Sequence, residues 1–501
     1  MSRCRSSAPS LAACIAALLA ASPGVPAFAA AGQANPVDAA PGLAQVAREL
    51  LSGAHRRGVT RAAPAAMTAG ITIPVGSCTD DDGFDTLRHA VLIANPGDTV
   101  DLSALACSKI TLQAGAIAVG AADLTIVGPG RQKLAIDGAK AGRVFKHDGL
   151  GTLTLNDVTV SNGKVAADAA YGGCIYSKGS VSLNRSTVSG CEAAGQTKAI
   201  GGAIVAFAKV TAKGSELSSN EATASVGADA TLAAAGGAVF AVEKLQLYNS
   251  ALSGNVAQAA LGKAYGGGSF SSALSVKYST ISGNQATGAG DAVAKNYGVG
   301  GAAISSGNTQ IVASTIDHNT ADAAGAFLFL SGYGTVSISQ STISSNTGTL
   351  GIGAMGCNAD VSIFNSTIAF NVSGSLVPVG IQFNYGMVMQ STIIADNPPL
   401  DIAGEAITGG HNLIKNAYAG TILPMDTITL DPQLGPLAFN GGTTRTHAIG
   451  ANSPALNNGA NPSNFPKDQR GPTFRRLVGV PDIGAFEYDA DHIFGNGLDL
   501  K

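Results

Sequence analysis

Asp317 and His318, adjacent in the stretch "STIDHN", are the pair in this chain best suited to move a proton, since a carboxylate beside an imidazole is a common acid–base arrangement. In other copies of this stretch a Ser and a Gly stand at the same two places, so a solvated corner is the plainer expectation. Glycoside hydrolysis needs two carboxylates on one face at a set separation. The acids of the central region, Glu192, Glu216, Glu243, Asp317 and Asp360, are sparse, and none is expected opposite another in neighbouring units. Asp168, Asp229, Asp291 and Asp322 fall in separate loops. Calcium takes about six to eight oxygen ligands, and scattered aspartates without a repeated Gly-x-Asp spacing make a weak case for it. Arg470, Arg475 and Arg476 with Asp468 read as a charged loop beside the C-terminal cap. No catalytic, cofactor-binding or metal-binding residue is assigned, and no cofactor is expected.

Most of these residues sit in a repeat. Copies of "STISGN" begin at Val158, Ser186, Ser215, Ser250, Ser279, Ser314, Ser341, Ser366 and Ser391, with spacings of 28, 29, 35, 29, 35, 27, 25 and 25 residues. A period in this range marks a solenoid, propeller or array. Within a unit, Val336 and Ile338, then Ser341 and Ile343, alternate with polar residues, which is the period of a strand. A second recurring element, "GGCIYS", "GGAIVA", "GGAVFA", gives each coil two or three short strands separated by corners. The expected fold is all-β: a right-handed parallel β-helix solenoid with a short N-terminal cap helix and an irregular C-terminal cap. Coils stack about 4.8 Å apart, so equivalent positions lie above one another. The first Ser and the Ile of the motif should point inward. Asn220, Asn255, Asn284, Asn319, Asn346 and Asn371 should form an amide ladder at a corner whose left-handed backbone Asn tolerates. Insertions such as "GKVAADAAY" and "EATASVGADATLAAA" should project as Ala/Gly-rich loops from one edge, ending near Ser314, where the units shorten.

Composition agrees with a thin, stacked core. The 501 residues are 45% hydrophobic but only 5% aromatic, with 65 Gly and no Trp. A net charge of −3 gives no basic footprint, so no nucleic-acid partner is expected. Residues 1–29 read as a secretory signal: Arg3 and Arg5, an apolar run from Leu11 to Ala21, then Ala27-Phe28-Ala29, with cleavage between Ala29 and Ala30. That run is short for a bilayer span, and no later segment is apolar enough, so no transmembrane helix is expected. Export permits disulfides, and Cys78–Cys107 with Cys174–Cys191 is the expected pairing, leaving Cys357 free. Five buried thiols are the alternative.

Residues 30–70 form a linker or pro-segment with one amphipathic stretch, "LAQVARELLSGAHRR", whose Leu43, Val46, Ala47, Leu50 and Leu51 share a face; loose packing is expected. In residues 71–150, a cap with the first coils, Asp85 is the expected N-cap of a helix bearing Leu87, Ala90, Val91 and Ala94 on one stripe. Residues 151–400 hold the repeats, 401–488 a C-terminal segment and 489–501 a tail.

The alternation of Gly-Gly-Ala-Ile with a strand ending in Asn resembles the repeats of polymorphic outer membrane proteins. "TLRHAVLIANPGDTVDL" resembles in part a cap domain named for a Cys-Ser-Leu-Arg-Glu-Ala signature, with Asp85 in place of its Cys and His89 in place of its Glu. "LDPQLGPLAFNGGTTRTHAIGANSPALNNG", "DQRGP" and "PDIGAFEY" are similar to a choice-of-anchor domain of secreted proteins, and the tail "HIFGNGLDLK" faintly resembles one found on exported proteins of Gram-negative bacteria. That resemblance puts a Gly-x-Asn-Leu turn at Gly410-His411. It implies a secreted or cell-surface, adhesin-like monomer, non-catalytic and contacting glycan or extracellular matrix through its loop edge. The alternative is a polysaccharide lyase or glycoside hydrolase working in a groove along one sheet.

Overall fold

The structure, a computed structural model, describes residues 70–489 except 227–231, 290–296, 330–333, 358, 375–378 and 477–478. The signal segment with Ala29 and Ala30, the segment holding Leu43 to Leu51, Asp229, Asp291 and the final tail lie outside the described residues. Two compact units emerge, an N-terminal unit of residues 70–275 and 279–303 and a C-terminal unit of residues 276–278 and 304–489. Each is a stretch of right-handed parallel β-helix. No helix among the described residues is long and apolar enough to cross a membrane.

One coil of the N-terminal unit shows how the sequence does this. Ile175–Ser177 and Ser180–Asn184 lie in a main sheet, Thr187–Ser189 in a second, ladder sheet, and Glu192–Ile200 in a third. Along Ser180–Asn184 burial alternates, with Val181 and Leu183 inside. Val181 then stacks in register on Leu153 and Val210, all essentially unexposed. Each such side chain contributes about 1.5–3 kcal/mol on burial, and branched aliphatics repeated rung after rung suffice where aromatics are few.

Two hydrogen-bonded ladders join the rungs. In the first, the motif serine accepts from the backbone N–H of its counterpart one coil earlier: Ser186 N–Ser215 Oγ is 3.0 Å, Ser250 N–Ser279 Oγ 3.0 Å and Ser341 N–Ser366 Oγ 3.2 Å. In the second, Asn220 donates from backbone and side chain to Asn255 Oδ1 at 3.0 and 2.9 Å, and Asn255 does the same to Asn284. In the C-terminal unit Asn319, Asn346 and Asn371 repeat the pattern and pass it to Asn397. The asparagines are not the left-handed residues. Positive φ belongs to the residue before each: Ser219, Gly254, Gly283, His318, Ser345 and Phe370. That kink turns the asparagine side chain inside, where all six are unexposed. The final motif also starts one residue later than its sequence suggests. Thr367 pairs with Ile393, which places Thr392, not Ser391, over Ser366.

The third sheet corrects the expected loops. Among the described residues the insertions hold strands, Lys164–Tyr171, Glu192–Ile200, Glu221–Ala224 and Leu232–Ala235 among them, and these form a shelf of two ladders. Ala199, Ala222, Ala224, Ala233, Ala234, Ala257, Ala259 and Ala264 make its core. The ladders meet so closely that a Cβ at Gly195 would lie 1.8 Å from the Lys198 carbonyl oxygen. Small residues are there because the gap admits nothing larger.

At the N-terminal end a short helix, Leu87–Ile93, buries Leu87, Ala90 and Val91. Its N-cap is Thr86, which accepts from His89 N at 3.3 Å; Asp85 is exposed instead. Arg88 bonds Asp80 at 2.8 Å, and Cys78–Cys107 closes the same cap. Cys174–Cys191 is bonded, with Cys191 N donating to Asn220 Oδ1 at 3.0 Å, so this cysteine stands where later coils have asparagine. Cys357 is free and buried.

Candidate functional site

A concentration of aromatic and charged groups lies on the outward face of the main sheet of the N-terminal unit. Lys146, Tyr176, Val205 and Phe240 occupy one outward row on successive strands. Val205, Phe240 and Phe270 are covered; Phe240 stacks on Phe270 with ring centroids 5.5 Å apart, and Tyr265 of the shelf stacks on Phe270 at 6.0 Å. At the other end of the row Tyr176 is half-buried and Lys146 exposed. Phe207 meets Tyr176 edge-on at 5.6 Å, and the Arg143 guanidinium sits 5.3 Å from the Tyr176 ring centroid. Arg143 is fixed by donating to the carbonyls of Tyr171 and Gly172 at 2.6 and 2.9 Å.

Asp148 completes the group. Lys178 Nζ lies 2.6 Å and Lys146 Nζ 3.1 Å from its carboxylate oxygens. Burial alone would raise this carboxyl, but Lys178 and Lys146 outweigh it and hold it below the ordinary value. Burial raises the Tyr176 phenol against the opposing pull of Arg143. Three cations and one carboxylate leave the cluster at +2 in a chain of net charge −3. Aromatic faces stack on flat apolar surfaces and the point charges of Lys attract carboxylates, while Arg143, its fork spent on backbone carbonyls, adds positive charge beside the ring. The cluster is therefore equipped for a ring that carries an anionic group.

None of these residues was singled out from the sequence. A signal exists, because Lys146 and Tyr176 are one coil apart, as are Asp148 and Lys178, and only the repeat brings them together.

The sequence-flagged residues end elsewhere. Asp317 is no solvated corner: it is fully buried, paired with Arg445, and accepts from His318 Nδ1 at 2.7 Å. Ser344, in register with Asp317, donates to His447 Nε2 at 2.8 Å, and His447 Nδ1 donates to Gly435 O at 2.7 Å. Burial lowers the His447 pKa against the opposing pull of the bond to Gly435 O. Ser344 and His447 have a nucleophile–base geometry but are both buried, which makes the pair a clamp on the C-terminal segment.

That segment is a packed cap. Arg470, Arg476 and Asp468 are buried, whereas Arg475 alone of the expected charged loop is exposed. Arg470 bonds Asp468 at 2.6 Å and lies between the rings of Phe474 and Phe486 at 3.9 and 3.8 Å. His411 is an exposed left-handed corner residue, while Asn412 is buried and accepts from Thr392 N at 3.1 Å, taking over the serine ladder.

The carboxylate expectation needs one correction. Glu192 stacks in register on Glu221, a residue the spacing argument overlooked. Burial would raise Glu192, but Lys164, at 2.8 Å, and Lys140 bring it down. Glu221 accepts from Thr223 Oγ1 at 2.5 Å. Asp168 is exposed and Asp322 buried, and no group of three or more His, Cys, Asp or Glu among the described residues is placed to hold a metal. An open cleft of about 360 Å³ in the C-terminal unit is lined by Pro398, Pro399, Asp401 and Lys415. Burial pushes Asp401 up to about 6, and its oxygens accept from Asn397 and Asn416, so this acid terminates the asparagine ladder.

No protein-family model matches the chain, nor does the sequence of any curated protein. Among solved structures, pectate lyase Pel9A is similar with a TM-score of 0.38 and 15% identity, over 85% of this chain and 98% of that one. The PL6 family alginate lyase AlyGC is similar with a TM-score of 0.35 and 12% identity, over 86% of this chain and 60% of that one. The fold assignment stands on this chain's own strand pairing.

Proposed function

We propose that the chain is an exported, monomeric β-helix protein that binds an acidic polysaccharide at the Tyr176 cluster. Residues 1–29 serve as its signal, the first coils and the repeats present the binding face, and 401–488 is the segment that holds it at the cell surface. The observation that carries this reading is the half-buried Tyr176, framed by Phe207, Arg143, Lys146 and Lys178 on one outward face. Binding by the sheet face replaces binding by loop edges, because the insertions are packed strands.

A panel of acidic and neutral oligosaccharides, titrated calorimetrically, tests the reading. Carboxylated chains should bind, and Tyr176→Ala should weaken them about tenfold, the equivalent of about 1.4 kcal/mol. Equal binding of neutral and acidic chains, or none at all, defeats it. One observation favours a second reading: Lys, Arg, Asp and Tyr gathered on one face are also the makings of a base, a carboxylate neutraliser and an acid for β-elimination. Unsaturated product absorbing in the ultraviolet would establish that activity.

A further inference from the structure

The N-terminal cap presents an exposed apolar patch. Phe84 is 88% exposed, Leu92 74%, Ile71 60% and Ile93 51%. They cluster around the short helix: Phe84 rests on His89 at 4.9 Å, and His89, Leu92 and Ile93 are three and four residues apart on its outer face. Ile71 is tied beside the helix end, its N–H donating to Asp98 Oδ1 at 2.8 Å while Asn95 N donates to Asp98 Oδ2. Around Phe84 stand Asp81, Asp82 and Asp85, all exposed and held in no ion pair among the described residues. Exposed aromatic and aliphatic side chains ringed by like charges mark a surface that something covers.

We infer that the patch is covered by residues 43–57 of this same chain. Their sequence supplies both halves of the complement. Leu43, Val46, Ala47, Leu50 and Leu51 make one apolar stripe, and residues 43–61 hold Arg48, Arg56, Arg57 and Arg61 against the single acid Glu49, a net of +3. The described residues begin at Gly70, and Ile71 belongs to the patch itself. Residues 58–70 can span up to about 45 Å, more than enough for the stripe to fold back onto Phe84 and Leu92 while Arg56 and Arg57 reach the aspartates. The occupant is intramolecular, so its effective concentration is high and a modest interface holds it.

Hydrogen–deuterium exchange on the full chain from Ala30 onward tests this. Amides of residues 43–51 and of the helix Leu87–Ile93 should exchange at least tenfold slower than in a Leu50→Asp/Leu51→Asp variant. Arg56→Glu/Arg57→Glu should lose at least threefold of that protection, and adding Asp81→Lys/Asp82→Lys should restore it. Unchanged protection of Thr152–Asn156 in every variant shows that the solenoid is folded. Free-peptide exchange rates at 43–51, no rescue by the charge swap, or protection that grows with protein concentration alongside a dimer in light scattering would each overturn the assignment.

Discussion

The ladder sheet carries the same motif in both units but uses its outer side chains differently. In the N-terminal unit Thr187 and Thr280 are half-buried. In the C-terminal unit Thr315, Thr342 and Thr367 are covered, and each hydroxyl engages the C-terminal segment. Thr315 Oγ1 donates to Arg445 O at 2.6 Å, Thr342 Oγ1 to Gln469 Oε1 at 2.6 Å, and Thr367 Oγ1 accepts from Ala485 N at 3.1 Å. In the N-terminal unit it is the outer row of the main sheet that is covered, at Val205, Phe240 and Phe270, with Tyr265 of the shelf stacked on Phe270. One inner packing solution thus leaves the outer face free to specialise, and the Tyr176 cluster lies where the outer row of the main sheet is no longer fully covered.

The largest expected effect breaks the shelf. Gly195→Val places its side chain against the Lys198 carbonyl and should destabilise the N-terminal unit by about 3 kcal/mol or more in chemical denaturation. Gly386→Ala, with no atom near its Cβ position, should stay within about 0.5 kcal/mol. Next, Asn255→Ala and Asn346→Ala should each cost about 2 kcal/mol, because each orphans buried donors of the preceding asparagine. Unequal losses would mean that the ladder is not a shared device. Sharper still is Thr342→Val, expected to cost about 1 kcal/mol, against Thr187→Val, expected near zero; equal costs would erase the distinction between the units. The smallest effect is pH-dependent. A buried His447 with a depressed pKa contributes stability above the unfolded value of about 6.5 and loses it as pH falls below that value. Proteolysis of the C-terminal segment should therefore accelerate on mild acidification, and His447→Gln should flatten the response.

The stacking was readable because each aliphatic position repeats at coil spacing. The kink was displaced by one residue because Ser-Gly-Asn offers two candidates for left-handed backbone, and Gly254 and Gly283 take it wherever they precede the asparagine. In sequence the shelf looks like loops because alanine carries little strand signal, and its strands exist only because their copies lie alongside one another. Asp317 looked solvated because the residue that buries and pairs it, Arg445, is remote in sequence. Tyr176 passed unnoticed inside "GGCIYS", since Val205 and Phe240 fill the same row in later coils and are covered there.

The decisive measurement is calorimetric titration of a uronate oligosaccharide into the wild-type chain and into Lys146→Ala/Lys178→Ala at low and high salt. The account predicts that wild-type affinity falls with salt, and that the double variant binds at least tenfold more weakly at low salt with a flatter salt dependence. Equal affinity of the two proteins at both salt concentrations would contradict it.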